Sequence, residues 1–271
     1  MTALLRASHP GPVVAVTVLA AALAVAEGLS PGRTALVAAA VLTGQLSIGW
    51  SNDLLDAGRD RDVGRRDKPL ATGELSVARV ATACRVAVAA TVVLSLACGW
   101  LPGLVHLVCV AAGWAYNLRL KATALSWLPY AVAFGGLTVF VALAGPDAAL
   151  PPAWVPVAGA MLGVGAHLVN TLPDLADDAA TGVHGLPHRL GARGSTVAAA
   201  LVLVAASLIV AAGVLATGDE ATRSTAWPLV LGAVAVVLVL GGVALLAGGR
   251  TPFRAAMAIA LVDAVLVVAA R

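Results

Sequence analysis

The chain has 271 residues, 60% of them hydrophobic and only 11% charged. A soluble domain carries about 25% charged residues, so the composition excludes a soluble globular protein; recurring apolar runs of about 20 residues point instead to an all-α integral membrane protein. The net charge of +3 does not indicate a nucleic-acid binder, because the bases lie in loops between the apolar runs.

Residues 1–10 form a short polar leader with Arg6 and His9. Arg6, the apolar run and Ala24-Val-Ala26 imitate a signal peptide, but a chain of many spans keeps its first as an anchor, and cleavage is not expected. Nine spans are predicted, at about 12–28, 34–51, 77–99, 104–118, 127–144, 154–172, 194–217, 227–247 and 253–270. Pro and Gly punctuate them at Gly28, Pro31, Gly32, Pro102, Gly103, Gly145 and Pro152. Cys84, Cys98 and Cys109 all fall in apolar runs without metal-type spacing, and read as buried free thiols. Small residues are abundant, with 28 Gly, and allow close helix approach.

Span 2 runs into a polar stretch, residues 50–73. Asn52, Asp56 and Asp60 are four apart, so a helix puts them on one face, with Asp53 one step round from Asn52. Carboxylates this close repel one another, and burial deepens the cost. A hard cation such as Mg²⁺ resolves the conflict through oxygen ligands. Arg59, Arg61, Arg65, Arg66 and Lys68 follow and suit phosphate oxygens, so the stretch reads as a Mg²⁺–diphosphate site. The bland reading is a solvated loop of ordinary turn residues.

Span 6 runs into a second copy. Adding 118 carries Asn52 to Asn170, Asp56 to Asp174, Asp60 to Asp178, Gly64 to Gly182, Pro69 to Pro187 and Gly73 to Gly191 without a gap. The whole chain, 1–271, therefore reads as one transmembrane domain with an internal pseudo-repeat, 52–73 and 170–191. Asp177 is an extra acid off the 170/174/178 face, and Pro173 breaks regular helix beside Asp174.

On the side of the N-terminus lie Arg6, Arg59, Arg61, Arg65, Arg66, Lys68, Arg79, Arg119, Lys121, Arg189, Arg193, Arg250 and Arg254; opposite lie only Arg33, Arg223 and Arg271, with Arg85 inside a span. The positive-inside rule puts the N-terminus and both acidic loops in the cytoplasm and the C-terminus outside, as in a bacterial-type plasma membrane. Four spans separate the copies, so both acidic loops are expected to face one cavity from the same side.

Asn52-Asp53-Leu-Leu-Asp56-Ala-Gly-Arg-Asp60 resembles the NDxxDxxxD signature of the UbiA superfamily of intramembrane prenyltransferases, and Asp174 to Asp178 its DxxxD signature. Lys68-Pro69-Leu70-Ala-Thr-Gly73 resembles its RPLxxG segment with Lys for the first Arg, and Tyr116-Asn117-Leu-Arg-Leu-Lys121 its YSxxLK segment with Asn for Ser. The resemblance implies nine transmembrane helices around a central cavity with cytoplasmic Asp-motif loops. It implies transfer of an isoprenyl group from a prenyl diphosphate to a hydrophobic acceptor, aromatic or a quinone precursor, with two Mg²⁺ ions. Asn52, Asp56 and Asp60 would hold the first ion, Asp53 being a ligand or a support; Asp174 and Asp178 would hold the second, with Asn170 and Asp177 behind them. Lys68, Lys121, Arg119 and Asn117 would bind diphosphate, and Tyr116 would stand by the reacting carbon.

Several residues admit two readings. Tyr116 also fits an interfacial aromatic belt, and Arg119 a topology charge. His167, on the Asn170 face, is either an acceptor-orienting base or a packed core histidine; His106 is more plainly the latter. Gln45 and Ser47 suit bonds between helices, and Asp263, an intramembrane acid, is expected to pair with a buried donor such as Arg85. Two other functions compete: a UbiA-type terpene cyclase, which the 4% aromatic content disfavours because cation–π support is scarce, and a secondary transporter, which would place its acids near the bilayer midplane.

Overall fold

The computed structural model describes residues 2–62, 64–66, 68–175, 178, 182–217, 220–247 and 251–269. The regular elements among them are helices: α1 (Ala3–Arg6), α2 (Pro10–Ala26), α3 (Pro31–Asp62), α4 (Val77–Ala97), α5 (Trp100–Leu118), α6 (Leu128–Ala144), α7 (Trp154–Asn170), α8 (Leu186–Thr217), α9 (Glu220–Leu246) and α10 (Thr251–Ala269). Proline opens α2 and α3, where its missing N–H has no helical partner to lose. Ser76 caps α4 by accepting from the Arg79 N–H.

Among the described residues, α3, α4, α5 and Leu186–Ala216 of α8 are long and apolar enough to cross a membrane; α2, α6, α7 and Val230–Leu246 are apolar but shorter. The main departure from expectation is at the second span. The helix does not stop near residue 51 but continues to Asp62, so Asn52, Asp53, Asp56 and Asp60 all lie on it. At the second copy α7 ends at Asn170, and a 3-10 turn over Leu172–Asp174 contains Pro173, as a proline there demands.

The helices form two compact units. The first comprises the chain to Arg119 with Phe140–Ala149. In it α3 packs against α2, α4 and α5, and α4 against α5. Ser47 Oγ on α3 accepts from Trp114 Nε1 on α5 at 3.2 Å, a helix-to-helix bond of the kind its position suggests. His106 is a core histidine: Ser95 Oγ lies 2.7 Å from its Nδ1, and its ring stacks on Phe140 with centroids 4.6 Å apart. Arg33 Nη2 donates to Cys98 O at the C-cap of α4 and to Ala144 O at the end of α6, both at 3.0 Å.

The second unit comprises Leu120–Val139 and the chain from Leu150. In it α7 packs against α8 and α10, and α8 and α9 complete the group with α10. Gly159 and Gly163 let α7 meet α6 backbone to backbone. A Cβ at Gly159 would come within 2.9 Å of Phe134 O, and one at Gly163 within 2.4 Å of Tyr130 O. Asp263 does not pair with Arg85. Its Oδ1 accepts from Ser207 Oγ, the hydroxyl that α8 presents to α10, while the exposed Arg85 donates to Thr82 Oγ1 on its own helix.

Candidate functional site

A helix of 32 residues is about 48 Å long at 1.5 Å per residue, against a hydrocarbon core of about 30 Å. The helix is thus longer than the apolar layer, and its last turns are polar, carrying Asn52, Asp53, Asp56 and Asp60. These carboxylates are nonetheless buried: Asp53 is 1% exposed, Asp60 5% and Asp56 8%. They also sit at the negative end of the helix dipole, which disfavours anions. Burial, like charge and helix dipole all call for positive charge here.

The structure supplies part of it. Asp56 Oδ2 accepts from Asn52 Nδ2 and from Arg59 Nη2, each at 3.1 Å. Lys68 Nζ lies 2.7 Å from Asp53 Oδ1, and His9 Nε2 lies 3.0 Å from the same oxygen. Asp60 is within electrostatic reach of Asp56, Lys68, Arg59 and Arg65. Asn52 in turn is fixed from α5: its Nδ2 also donates to Asn117 Oδ1 at 3.4 Å. Asn117 gives both of its own N–H donors to α3, to Ile48 O and Ser51 Oγ at 2.8 Å. Asn117, expected to bind diphosphate, thus has both N–H donors engaged with α3 and touches Asn52 through its amide oxygen.

With its N–H groups engaged, Asn52 has its amide oxygen left to offer a cation. Asn52, Asp56 and Asp60 thus present an oxygen-only donor set on successive turns of one helix. Among the described residues no three His, Cys, Asp or Glu converge into a closed metal cage. An oxygen-only set of this kind is the donor chemistry that hard cations such as Mg²⁺ take.

The end of α3 is sealed by a Schellman motif. Gly64, at φ +72°, turns the chain; the Gly64 N–H donates to Arg61 O at 3.1 Å and the Arg65 N–H to Asp60 O at 2.9 Å. The same bond recurs at the second copy, where the Val183 N–H donates to Asp178 O at 2.9 Å and Gly182 has φ +82°. Gly73 and Gly191, also equivalent, have φ +77° and +71°. The two copies thus share backbone conformation at these glycines and at the bond beside the first of them, while α3 is continuous where α7 gives way to the 3-10 turn.

At this second copy Asn170 is the exposed last residue of α7, and Asp174 lies in the 3-10 turn. The side chain of Asp174, and Asp177 altogether, lie outside the described residues. Asp178 Oδ2 is 3.8 Å from His188 Nε2. His167 is buried at 1% exposure against Ser126, whose Oγ is 2.9 Å from its Nε2, and against the Tyr130 ring, 4.7 Å between centroids. Ser126 Oγ also accepts from the Leu186 N–H at 2.9 Å. His167 is thus packed and hydrogen-bonded beside Ser126, which also holds the N–H at the start of α8, the surroundings of a core histidine.

Tyr116 is half-buried near the end of α5, and Arg119 is its exposed C-cap. Lys121, half-buried in a 3-10 turn, lays its carbonyl on Gly185, where a Cβ would approach to 2.6 Å. Sequence reasoning missed His9, Ser51 and Ser126. None belongs to a motif, and each acts through a contact distant in the chain.

The sequence profile of the UbiA prenyltransferase family matches residues 13–262. The chain belongs to that family. Among solved structures, the UbiA-family chain resembles a UbiA homologue from Archaeoglobus fulgidus bound to GPP and Mg²⁺, with a TM-score of 0.71, 19% identity and 99% of each chain covered. It resembles the apo UbiA homologue from Aeropyrum pernix K1 with a TM-score of 0.72 and 19% identity over 92% of this chain and 96% of that one. A digeranylgeranylglyceryl phosphate synthase gives a TM-score of 0.74 at 14% identity over 99% and 96%. At these identities the likeness is one of fold. Among curated proteins none matches. Apolar helices and UbiA-family membership together make this an integral membrane protein.

Proposed function

We propose that this UbiA-family protein is a Mg²⁺-dependent prenyltransferase. It moves an isoprenyl group from a prenyl diphosphate to a hydrophobic acceptor, aromatic or a quinone precursor, and releases diphosphate within the membrane. The observation that carries the reading is the buried pair Asp56 and Asp60, set at the negative end of α3 beside the fixed amide of Asn52. The solved A. fulgidus homologue bound to GPP and to DMAPP with Mg²⁺ supports it.

On this reading Asn52, Asp56 and Asp60 hold one ion, and Asp174 and Asp178, with Asn170 and Asp177 behind them, hold a second. Bound Mg²⁺ neutralises diphosphate charge as a Lewis acid. Lys68, Lys121 and Arg119 donate to the diphosphate oxygens and stabilise the charge that gathers as the allylic C–O bond breaks and its electron pair leaves with diphosphate. The acceptor then bonds to the allylic carbon and loses a proton. Tyr116 stands near that carbon, and the apolar helices exclude water from it. The N-terminus and both acidic stretches face the cytoplasm across nine spans.

The test is release of pyrophosphate from labelled geranylgeranyl diphosphate by the purified protein, with and without a lipid-extract acceptor pool. Acceptor-dependent release, stopped by EDTA and restored by Mg²⁺, is expected. A cyclic hydrocarbon formed without acceptor would make the protein a cyclase. No release from prenyl diphosphates of any length would remove the enzyme reading and leave the carrier.

A further inference from the structure

We propose that His9 is a positioning residue for the diphosphate site: with Asp53 it holds the Lys68 ammonium in place, and the N-terminal segment is thereby a working part of the first acidic cluster. The inference rests on the reading of Lys68 as a diphosphate contact.

Lys68 comes from the loop after α3, not from a helix, and an ammonium on a four-carbon stem is positioned only by what it touches. Its Nζ lies 2.7 Å from Asp53 Oδ1 and 3.0 Å from His9 Nε2, and Nε2 is 3.0 Å from Oδ1. The three atoms close a triangle. An ammonium has three donors; with the unprotonated Nε2 as acceptor, the carboxylate and the ring take two of them and leave one for a further acceptor, and the Nε2···Oδ1 side is a contact bridged by the ammonium rather than a hydrogen bond of its own. Asp53 is 1% exposed and its Oδ2 has no hydrogen-bond partner. A carboxylate so buried requires its counter-charge, which ties Lys68 to this position.

His9 is held in a conformation that its own backbone resists. It has φ 57° and ψ 65°, the left-handed region, and makes no side-chain cap to α2, which it precedes. A helix start favours Ser, Asp or Asn, and a left-handed turn favours Gly. Histidine answers neither need, and its strained left-handed backbone is held where the ring accepts from Lys68.

The segment before it is firmly seated. Arg6 pairs with Glu74, and Trp50 Nε1 donates to Leu4 O at 2.9 Å. Ser8 O lies where a Cβ at Gly49 would be 2.1 Å away, so only glycine admits it. Leu4 and Ala7 pack with Trp50, Leu70 and Leu75. Residues 3–9 thus bridge the acidic end of α3 to the 68–75 loop, the two pieces that the triangle joins.

The experiment measures binding of inorganic pyrophosphate with Mg²⁺ to the full-length protein in detergent micelles, by titration calorimetry and without turnover. Lys68→Ala is expected to weaken binding about tenfold, the loss of one charge-assisted hydrogen bond. His9→Ala should lose a similar factor, and the double variant should be no weaker than Lys68→Ala alone, because the two act as one unit. His9→Gln, whose amide reaches the same partners, should recover most of the affinity. His9→Gly relieves the backbone and guards against misfolding, yet should bind as weakly as His9→Ala. Wild-type affinity in His9→Ala and His9→Gly, or fully additive losses in the double variant, would overturn the proposal. If Lys68→Ala binds normally while Asp56→Ala does not, the positioning role falls and the enzyme reading stands. If the wild type binds no pyrophosphate, the enzyme reading falls and takes this inference with it.

Discussion

Asp56 and Asn117 are both buried and both hydrogen-bonded, yet they should fail differently when changed. Asp56→Asn keeps an acceptor for Asn52 and Arg59 and a side chain of the same shape. It loses the charge and one of the two donor oxygens, so prenyl transfer should fall by about 10²-fold or more with the detergent melting temperature unchanged. Asn117→Leu leaves the buried Ser51 Oγ without its donor, takes from Ile48 O one of its donors while Ser51 Oγ keeps the other, and releases Asn52. A stability loss of about 2 kcal/mol is expected, with a higher Mg²⁺ requirement rather than abolished turnover. An Asn117→Leu protein of normal stability and no affinity for diphosphate would restore Asn117 as a direct ligand. Arg33 provides a residue-scale contrast far from any acid. Because it caps two carbonyl ends from an exposed position, Arg33→Met should cost about 1 kcal/mol and leave the kinetic constants alone.

At the scale of elements, the unit that repeats is a helix end, a Schellman turn and a second left-handed glycine. Nothing lies within 4 Å of a Cβ built at Gly64 or at Gly182, while both have positive φ. Alanine at either should therefore destabilise purely through the backbone, by about 1–2 kcal/mol, with Asn costing less. Circular-dichroism melts of the four variants check this; equal losses for Ala and Asn would point to packing instead. Gly163→Leu should be far worse, since its side chain would overlap Tyr130 O. Much of this was legible in the sequence, because acids, glycines and prolines at a fixed offset have few other reasons to recur. The apolar runs marked the helices, and Pro173 marked the break after α7. The four-residue spacing of Asn52, Asp56 and Asp60 already read as helix, but that α3 runs unbroken from the apolar span to Asp62 was not legible, since hydropathy sees the apolar layer but not a polar helix beyond it. Nor were the partners of buried polar groups. Asp263 with Ser207, His167 with Ser126, and His9 with Asp53 are pairs separated by 56, 41 and 44 residues, and no local period encodes them.

For the molecule as a whole, the decisive quantity is which ends of the helices share a face of the membrane. The first acidic stretch begins on the end of α3 and the second follows α7; if each of α4 to α7 crosses once, as proposed, the chain returns to its starting side between them, and the bias of Lys and Arg would make that side cytoplasmic. Asp62 and His184 are exposed in the two acidic stretches, and Asp147 is exposed between α6 and α7. The native thiols Cys84, Cys98 and Cys109 are all buried, which keeps background labelling low. In inverted and right-side-out vesicles, a membrane-impermeant maleimide should modify Asp62→Cys and His184→Cys only from the cytoplasmic face, and Asp147→Cys only from the other. If Asp62→Cys and His184→Cys react from opposite faces, one crossing has been misplaced, and a mechanism in which both acidic stretches serve a single diphosphate is impossible. If both react from the outside, the charge bias has misoriented the chain while the chemistry survives, because the pairing of the stretches depends on parity and not on which compartment they face.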